Sequence, residues 1–122
     1  MGFSISQVSK QLNLPASTIR FYDKEGLLPF IEKRESGYRI FKGPDIEMLQ
    51  IIDCLKQTGM SIKDIKQFVE WIKIGDTTLE DRYHLFEERR IAVEKQIEEL
   101  HMALAVIEQK RFYYEHALSK TK

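Results

Sequence analysis

A single cysteine, Cys54, stands among 122 residues, so neither an intramolecular disulfide nor a cysteine-based zinc cluster can form, and a reducing, cytoplasmic setting is expected. No apolar run approaches the ~20 residues a membrane-spanning helix requires, and 31% of the residues are charged, so neither a signal peptide nor a membrane partner is expected. Catalytic signatures are missing as well: there is no glycine-rich phosphate loop, no HExxH and no CxxC. The three histidines, His84, His101 and His116, are too dispersed to share a metal on one helix. No enzyme, metal or cofactor is indicated. Glycine and proline are few, six and three, and neither occurs after Gly75, which leaves the last third of the chain free to be one uninterrupted helix.

The formal net charge of zero hides an asymmetry. Residues 1–42 carry seven Lys and Arg against four Asp and Glu, whereas residues 76–122 carry eight against ten. A mildly basic head on an acidic tail suits a polyanion at one end only.

The stretch from Ser17 to Leu28 organises the rest. It reads as a short helix ending at Gly26, with Ile19 and Asp23 near one line, one apolar anchor to dock inward, and Ser17, Thr18, Arg20, Phe21 and Tyr22 on the remaining surface. Hydroxyls and an arginine at the start of a helix meet phosphates and base edges in a major groove, which is what the second helix of a helix-turn-helix does. The alternative is an amphipathic core helix with a wet face. Before it, Ser4 and Gln7 form a capping box over a helix whose stripe is Ile5, Val8 and Leu12. Asn13 supplies a left-handed stop and Pro15 starts the next helix, giving a tight turn.

After Pro29, Phe30-Ile31 and Tyr38–Phe41 are β-prone runs around residues 32–37, a small wing with Arg34 at its tip. Pro44 opens a third helix with Ile46, Leu49, Ile52 and Leu55 inside, ending at Gly59. Ser61 with Asp64 caps a fourth, with Ile62, Ile65, Phe68, Val69 and Ile72 on its apolar face. Thr77 with Glu80 opens the last. From Leu79 the positions step by four and three through Tyr83, Phe86, Arg90, Val93, Ile97, Leu100, Leu104, Ile107, Arg111, Tyr114 and Leu118, ten of the twelve apolar or aromatic. At ~1.5 Å per residue such a helix is roughly 60 Å long, more than a small head can bury. It calls for a partner helix, most economically an identical chain, with Arg90 and Arg111 setting register.

Taken in order, Ile5–Lys10, Ser17–Leu28, Ser36–Phe41 and Thr58–Ile65 resemble the MerR family of bacterial transcription regulators, which carry T-[IL]-R-[FY]-Y and G-Y-R-x-[FY] motifs as this chain does at Thr18–Tyr22 and Gly37–Phe41. The resemblance implies an all-α fold with a β-hairpin wing: a winged helix-turn-helix head, residues 1–75, followed by a long dimerisation helix, residues 76–122, forming an antiparallel coil. It implies a homodimer on double-stranded promoter DNA, at a pseudo-palindromic element with an overlong spacer that the protein kinks and untwists, serving RNA polymerase indirectly. It makes Ser17, Thr18 and Arg20 base-edge or phosphate contacts, Phe21 and Tyr22 an aromatic pair whose tyrosine offers its hydroxyl to a phosphate, and Arg34, Tyr38 and Arg39 wing contacts. Ser61 and Lys63, at the fourth helix N-terminus, take a further phosphate. The seam Leu79, Tyr83, Phe86, Val93, Ile97, Leu100, Leu104, Ile107, Tyr114 and Leu118 becomes the dimer interface.

Pro15 departs from the hydroxyl or small residue common in the family at that place. The chain ends four residues after Leu118, so the effector domain many members carry is expected to be absent, and with it metal or drug sensing. The sequence is similar to the small branch that answers aldehydes or nitrosative stress through one cysteine on the third helix. Cys54 is then either a stress sensor or a small buried hydrophobe. A coiled-coil adaptor without DNA binding is the alternative function; Arg20, Tyr22, Tyr38 and Arg39 together favour the regulator.

Overall fold

A computed structural model of the chain describes residues 2–121. Five α-helices and one two-stranded hairpin follow in order: α1 Ile5–Leu12, α2 Ala16–Lys24, β1 Glu32–Lys33, β2 Arg39–Ile40, α3 Gly43–Gln57, α4 Ile62–Ile74 and α5 Leu79–Lys120, with a 3₁₀ turn at Asp76–Thr78 before α5. This is an all-α fold with a small β-hairpin.

Local chemistry accounts for the helix ends. The Ser4 hydroxyl accepts from the Gln7 amide while the Gln7 side chain accepts from the Ser4 amide, the reciprocal pair that satisfies two orphan donors at the start of α1. Asn13 takes the left-handed conformation, φ 54° and ψ 45°, and the Ser9 hydroxyl donates to the Leu14 carbonyl across the turn. At the other end of α2, Gly26 has φ 81°, and the Leu27 amide reaches back to the Tyr22 carbonyl at 3.0 Å. Ser61 caps α4 by accepting from the Asp64 amide.

The chain forms two compact units, one up to Leu85 and one from Phe86. The core of the first is drawn from helices α1 to α4 and the segments between them: Val8 of α1, Ile19 and Tyr22 of α2, Leu27, Leu28 and Phe41, Leu49, Ile52 and Leu55 of α3, and Ile65, Phe68 and Val69 of α4. All four inward residues foreseen for α3 are buried, as are the central three of the five foreseen for α4, with Ile62 and Ile72 partly so. At roughly 1.5–3 kcal/mol for each fully buried large apolar side chain, this cluster dominates the stability of the head.

Several local expectations are corrected. Phe30-Ile31 is not a strand; pairing begins at Glu32, opposite Ile40, and Phe30 sits in a turn, mostly exposed. The first strand is displaced because the chain is still turning after Leu28, whose carbonyl accepts from the Ile31 amide. Thr77 does not open the last helix. Thr78 does the work: buried in the 3₁₀ turn, its hydroxyl lies 2.7 Å from both the Trp71 and the Gly75 carbonyl oxygens and accepts from Arg82 Nε at 3.1 Å. Arg82 Nη2 donates to the Gly75 carbonyl as well, at 2.9 Å. Gly75, at φ 111° and ψ −157°, occupies backbone space that a side chain disfavours. These bonds, with Leu85 packed on the core, carry the head past the boundary drawn at residue 75 and into the first turns of α5.

The second unit is helix throughout, residues 86–120. Arg90 pairs with Glu87 and Glu94, and Arg111 with Glu108 and Glu115, in i,i+3 and i,i+4 geometry. No residue of α5 is buried in the single chain, and Leu100, Ile107 and Leu118 are each more than 60% exposed.

Candidate nucleic-acid interface

Helix α2 divides cleanly. Ile19, Tyr22 and Asp23 are buried, while Ser17, Arg20, Phe21 and Lys24 are exposed and Thr18 is half-buried. The 3.6-residue period therefore presents hydroxyls, one arginine and one lysine on the outer face of a helix anchored in the core by Ile19 and Tyr22. Phe21 packs its ring 5.9 Å from that of Tyr22 yet remains 44% exposed.

Tyr22 is not available to a phosphate as expected. It is buried, and its hydroxyl donates to Asp53 Oδ1 at 3.0 Å, joining α2 to α3. Burial first, then the hydrogen bond and the adjacent negative charge of Asp53, push its pKa up to about 12. The other Asp53 oxygen accepts from Gln57 at 2.6 Å.

The wing comes back to α2 through charge. Lys33 on β1 and Arg39 on β2 are cross-strand partners, and both reach Asp23 Oδ2, Lys33 Nζ at 2.8 Å and Arg39 Nε at 2.6 Å. Burial alone would raise the Asp23 pKa, but the hydrogen bonds and charges of Lys33 and Arg39 outweigh it and hold the carboxyl below its usual range. Arg39 thus has its Nε committed inward, whereas Tyr38 and Arg34 are exposed, Arg34 lying 3.7 Å from Glu32. The turn between the strands closes with Arg34 and Gly37 amides donating to the Tyr38 and Arg34 carbonyls, both at 2.8 Å.

A backbone bridge between Phe3 and Phe41, two hydrogen bonds of 2.8 Å, fastens the chain start to the wing base. It brings the cap residue Ser4 and Gln7 of α1 to one open cleft with Arg34, Tyr38 and Lys42. Ser61 and Lys63 are exposed at the start of α4, and Lys66 of the same helix pairs with Glu25 after α2 at 3.1 Å. The roles of Asp23, Lys33 and Lys42 were missed by sequence reasoning; the excess of cations in residues 1–42 was the only signal for the two lysines, and the place of Asp23 in line with Ile19 the only one for the carboxylate.

Cys54 is exposed on α3, which removes the buried-hydrophobe reading. Its place follows from the helix period: Ile52 and Leu55 take the core-facing positions on either side and leave 54 outward. Among the described residues no group of His, Cys, Asp and Glu is arranged to hold a metal ion, and no helix is long and apolar enough to cross a membrane.

Comparison with known proteins places this geometry. Residues 3–70 match the MerR HTH family regulatory protein model and residues 46–110 the MerR DNA-binding model. An HTH-type transcriptional regulator of Haemophilus influenzae is 44% identical over 117 residues, 96% of this chain and 87% of the relative. The crystal structure of HiNmlR, a MerR family regulator lacking the sensor domain, bound to promoter DNA, superposes with a TM-score of 0.89 at 43% identity, covering 98% of this chain and 94% of that one. A MerR family regulator from Bacillus thuringiensis superposes at 0.84 with 42% identity, over 90% and 96% of the two chains. The buried anchor, the outward arginine face and the hairpin wing are thus those of a DNA-binding transcriptional regulator, and the chain belongs to the MerR family.

Proposed function

We propose that the protein acts as a homodimer on a pseudo-palindromic promoter element, reading each half-site with α2 and gripping phosphates with the wing. The observation that carries this reading is the partition of α2, which buries Ile19 and leaves Ser17, Arg20 and Phe21 outside in a head that resembles a DNA-bound relative end to end. Ser17, Thr18 and Arg20 contact base edges or phosphates, Tyr38 and Arg34 contact the backbone from the wing, and Arg39 does so with the edge of its guanidinium not turned to Asp23. Ser61 and Lys63 add a phosphate contact at the amide-rich start of α4.

Dimerisation proceeds through α5. Nine of the ten seam residues from Leu79 to Leu118 are exposed large hydrophobics, and a 42-residue helix with that stripe gains most by burying it against a second copy. The two heads then distort the promoter between the half-sites, realigning its elements for RNA polymerase. Modification of Cys54 is the proposed input. The exposed thiol adjoins Asp53, which holds the Tyr22 hydroxyl of the reading helix, so an adduct has a short route to α2.

Transcription from the cognate promoter tests the distortion. With its spacer shortened to the polymerase optimum, the promoter should fire without the protein. An unshortened promoter firing equally well without the protein would remove the distortion mechanism.

A further inference from the structure

Lys33 and Arg39 occupy directly opposed positions on β1 and β2. Side chains so placed lie about 5 Å apart at Cβ, and like charges there push strands apart. The hairpin has little to resist this. It has two residue pairs, with the Phe3–Phe41 bridge beyond, and a lone two-stranded hairpin is marginal in water. Both cations instead converge on a single carboxylate oxygen, Asp23 Oδ2, whose side chain is 5% exposed and rooted in the last turns of α2. An aspartate on a DNA-reading helix otherwise opposes a polyanion, so its presence needs a compensating role.

We propose that Asp23 is a positioning residue for DNA binding. It neutralises the cross-strand cation pair, fixes the wing against the reading helix, and takes Arg39 Nε so that the outer edge of the guanidinium faces a phosphate. Only arginine serves both partners: its planar fork donates in two directions at once, while a lysine ammonium behaves as a point charge. The inference rests on the reading of Arg39 as a phosphate contact.

The sign of one substitution separates this role from a bystander's. Asp23→Asn makes the head one unit more positive, and simple electrostatics then predicts tighter binding to DNA. Positioning predicts the reverse, a loss of about tenfold in affinity for the duplex carrying the protein's own promoter, measured by fluorescence anisotropy. It also predicts faster hydrogen exchange at the Arg34 and Gly37 amides of the wing with the amides of α3 unchanged. Asp23→Glu, which restores the carboxylate, should recover most of the affinity. In an Arg39→Ala background Asp23→Asn should cost less than about twofold, because the group it positions is gone.

Arg39→Lys is the second variant, since it keeps both charges and leaves no carboxylate unpaired. It should bind as weakly as Arg39→Ala. Asp23→Asn binding as well as or better than the wild type, or Arg39→Lys matching the wild type, overturns the proposal. Arg39→Ala binding as the wild type instead removes the phosphate reading beneath it, a separate failure.

Discussion

Two buried ionisable side chains of α2, Tyr22 and Asp23, titrate away from their usual ranges for opposite reasons. Tyr22 has its pKa raised from 10.0 to about 12 by burial and by the Asp53 carboxylate, so its contribution to stability is complete below pH 10 and is lost as pH rises through 12. Alkaline absorbance titration should show one late phenolate step, missing in Tyr22→Phe; an unchanged titration would place the hydroxyl elsewhere. The Asp23 carboxyl is held below 3.8, so its contribution is present above that value and is lost as pH falls through the lower native one. Between about pH 5 and pH 2 the wild type should lose stability faster than Asp23→Asn by circular dichroism. Wild type and Cys54→Ser should differ in promoter response to formaldehyde, methylglyoxal or an S-nitrosothiol, and identical responses would leave the thiol without a switching role. None of these partners was legible locally, because Tyr22 and Asp53 are 31 residues apart and Asp23 and Arg39 are 16 apart. Sequence periodicity turns Ile19 inward, but it foretells neither the burial of Tyr22 and Asp23 nor which partners meet them.

At the scale of elements, most of the head was readable because its signals are short-range. The capping box at Ser4, the left-handed Asn13, the Ser61 cap and the α3 stripe each depend on residues within a turn or two. What escaped was the hairpin's true start and the Thr78–Arg82 lock, which depend on Leu28, Trp71 and Gly75 carbonyls that no spacing rule identifies. Leu49 lies fully buried where α3 enters the core, so Leu49→Ala should cost about 2–5 kcal/mol in urea denaturation. A cost below about 1 kcal/mol would show that α3 is not packed as described.

Across the whole molecule, the four-three steps of α5 were enough to find the long helix and one exposed apolar stripe, yet Ile91, Met102, Val106 and Tyr113 lie off that stripe and are exposed too. A heptad count registers the main stripe and passes over apolar residues on other faces. Light scattering should give a dimer at micromolar concentration, and Val93→Asp or Ile97→Asp should dissociate it and abolish specific binding, since one head meets only a half-site. A monomeric wild type would rule out dimerisation through this stripe. Everything in this mechanism depends on the outer face of α2 reading promoter DNA. The most direct test is equilibrium binding of wild type and Arg20→Ala to the duplex upstream of the protein's own reading frame and to a scrambled duplex, across a salt series. The wild type should prefer its own duplex by at least about a thousandfold, and Arg20→Ala should lose roughly tenfold or more of that preference; equal affinity of the wild type for both duplexes would contradict it.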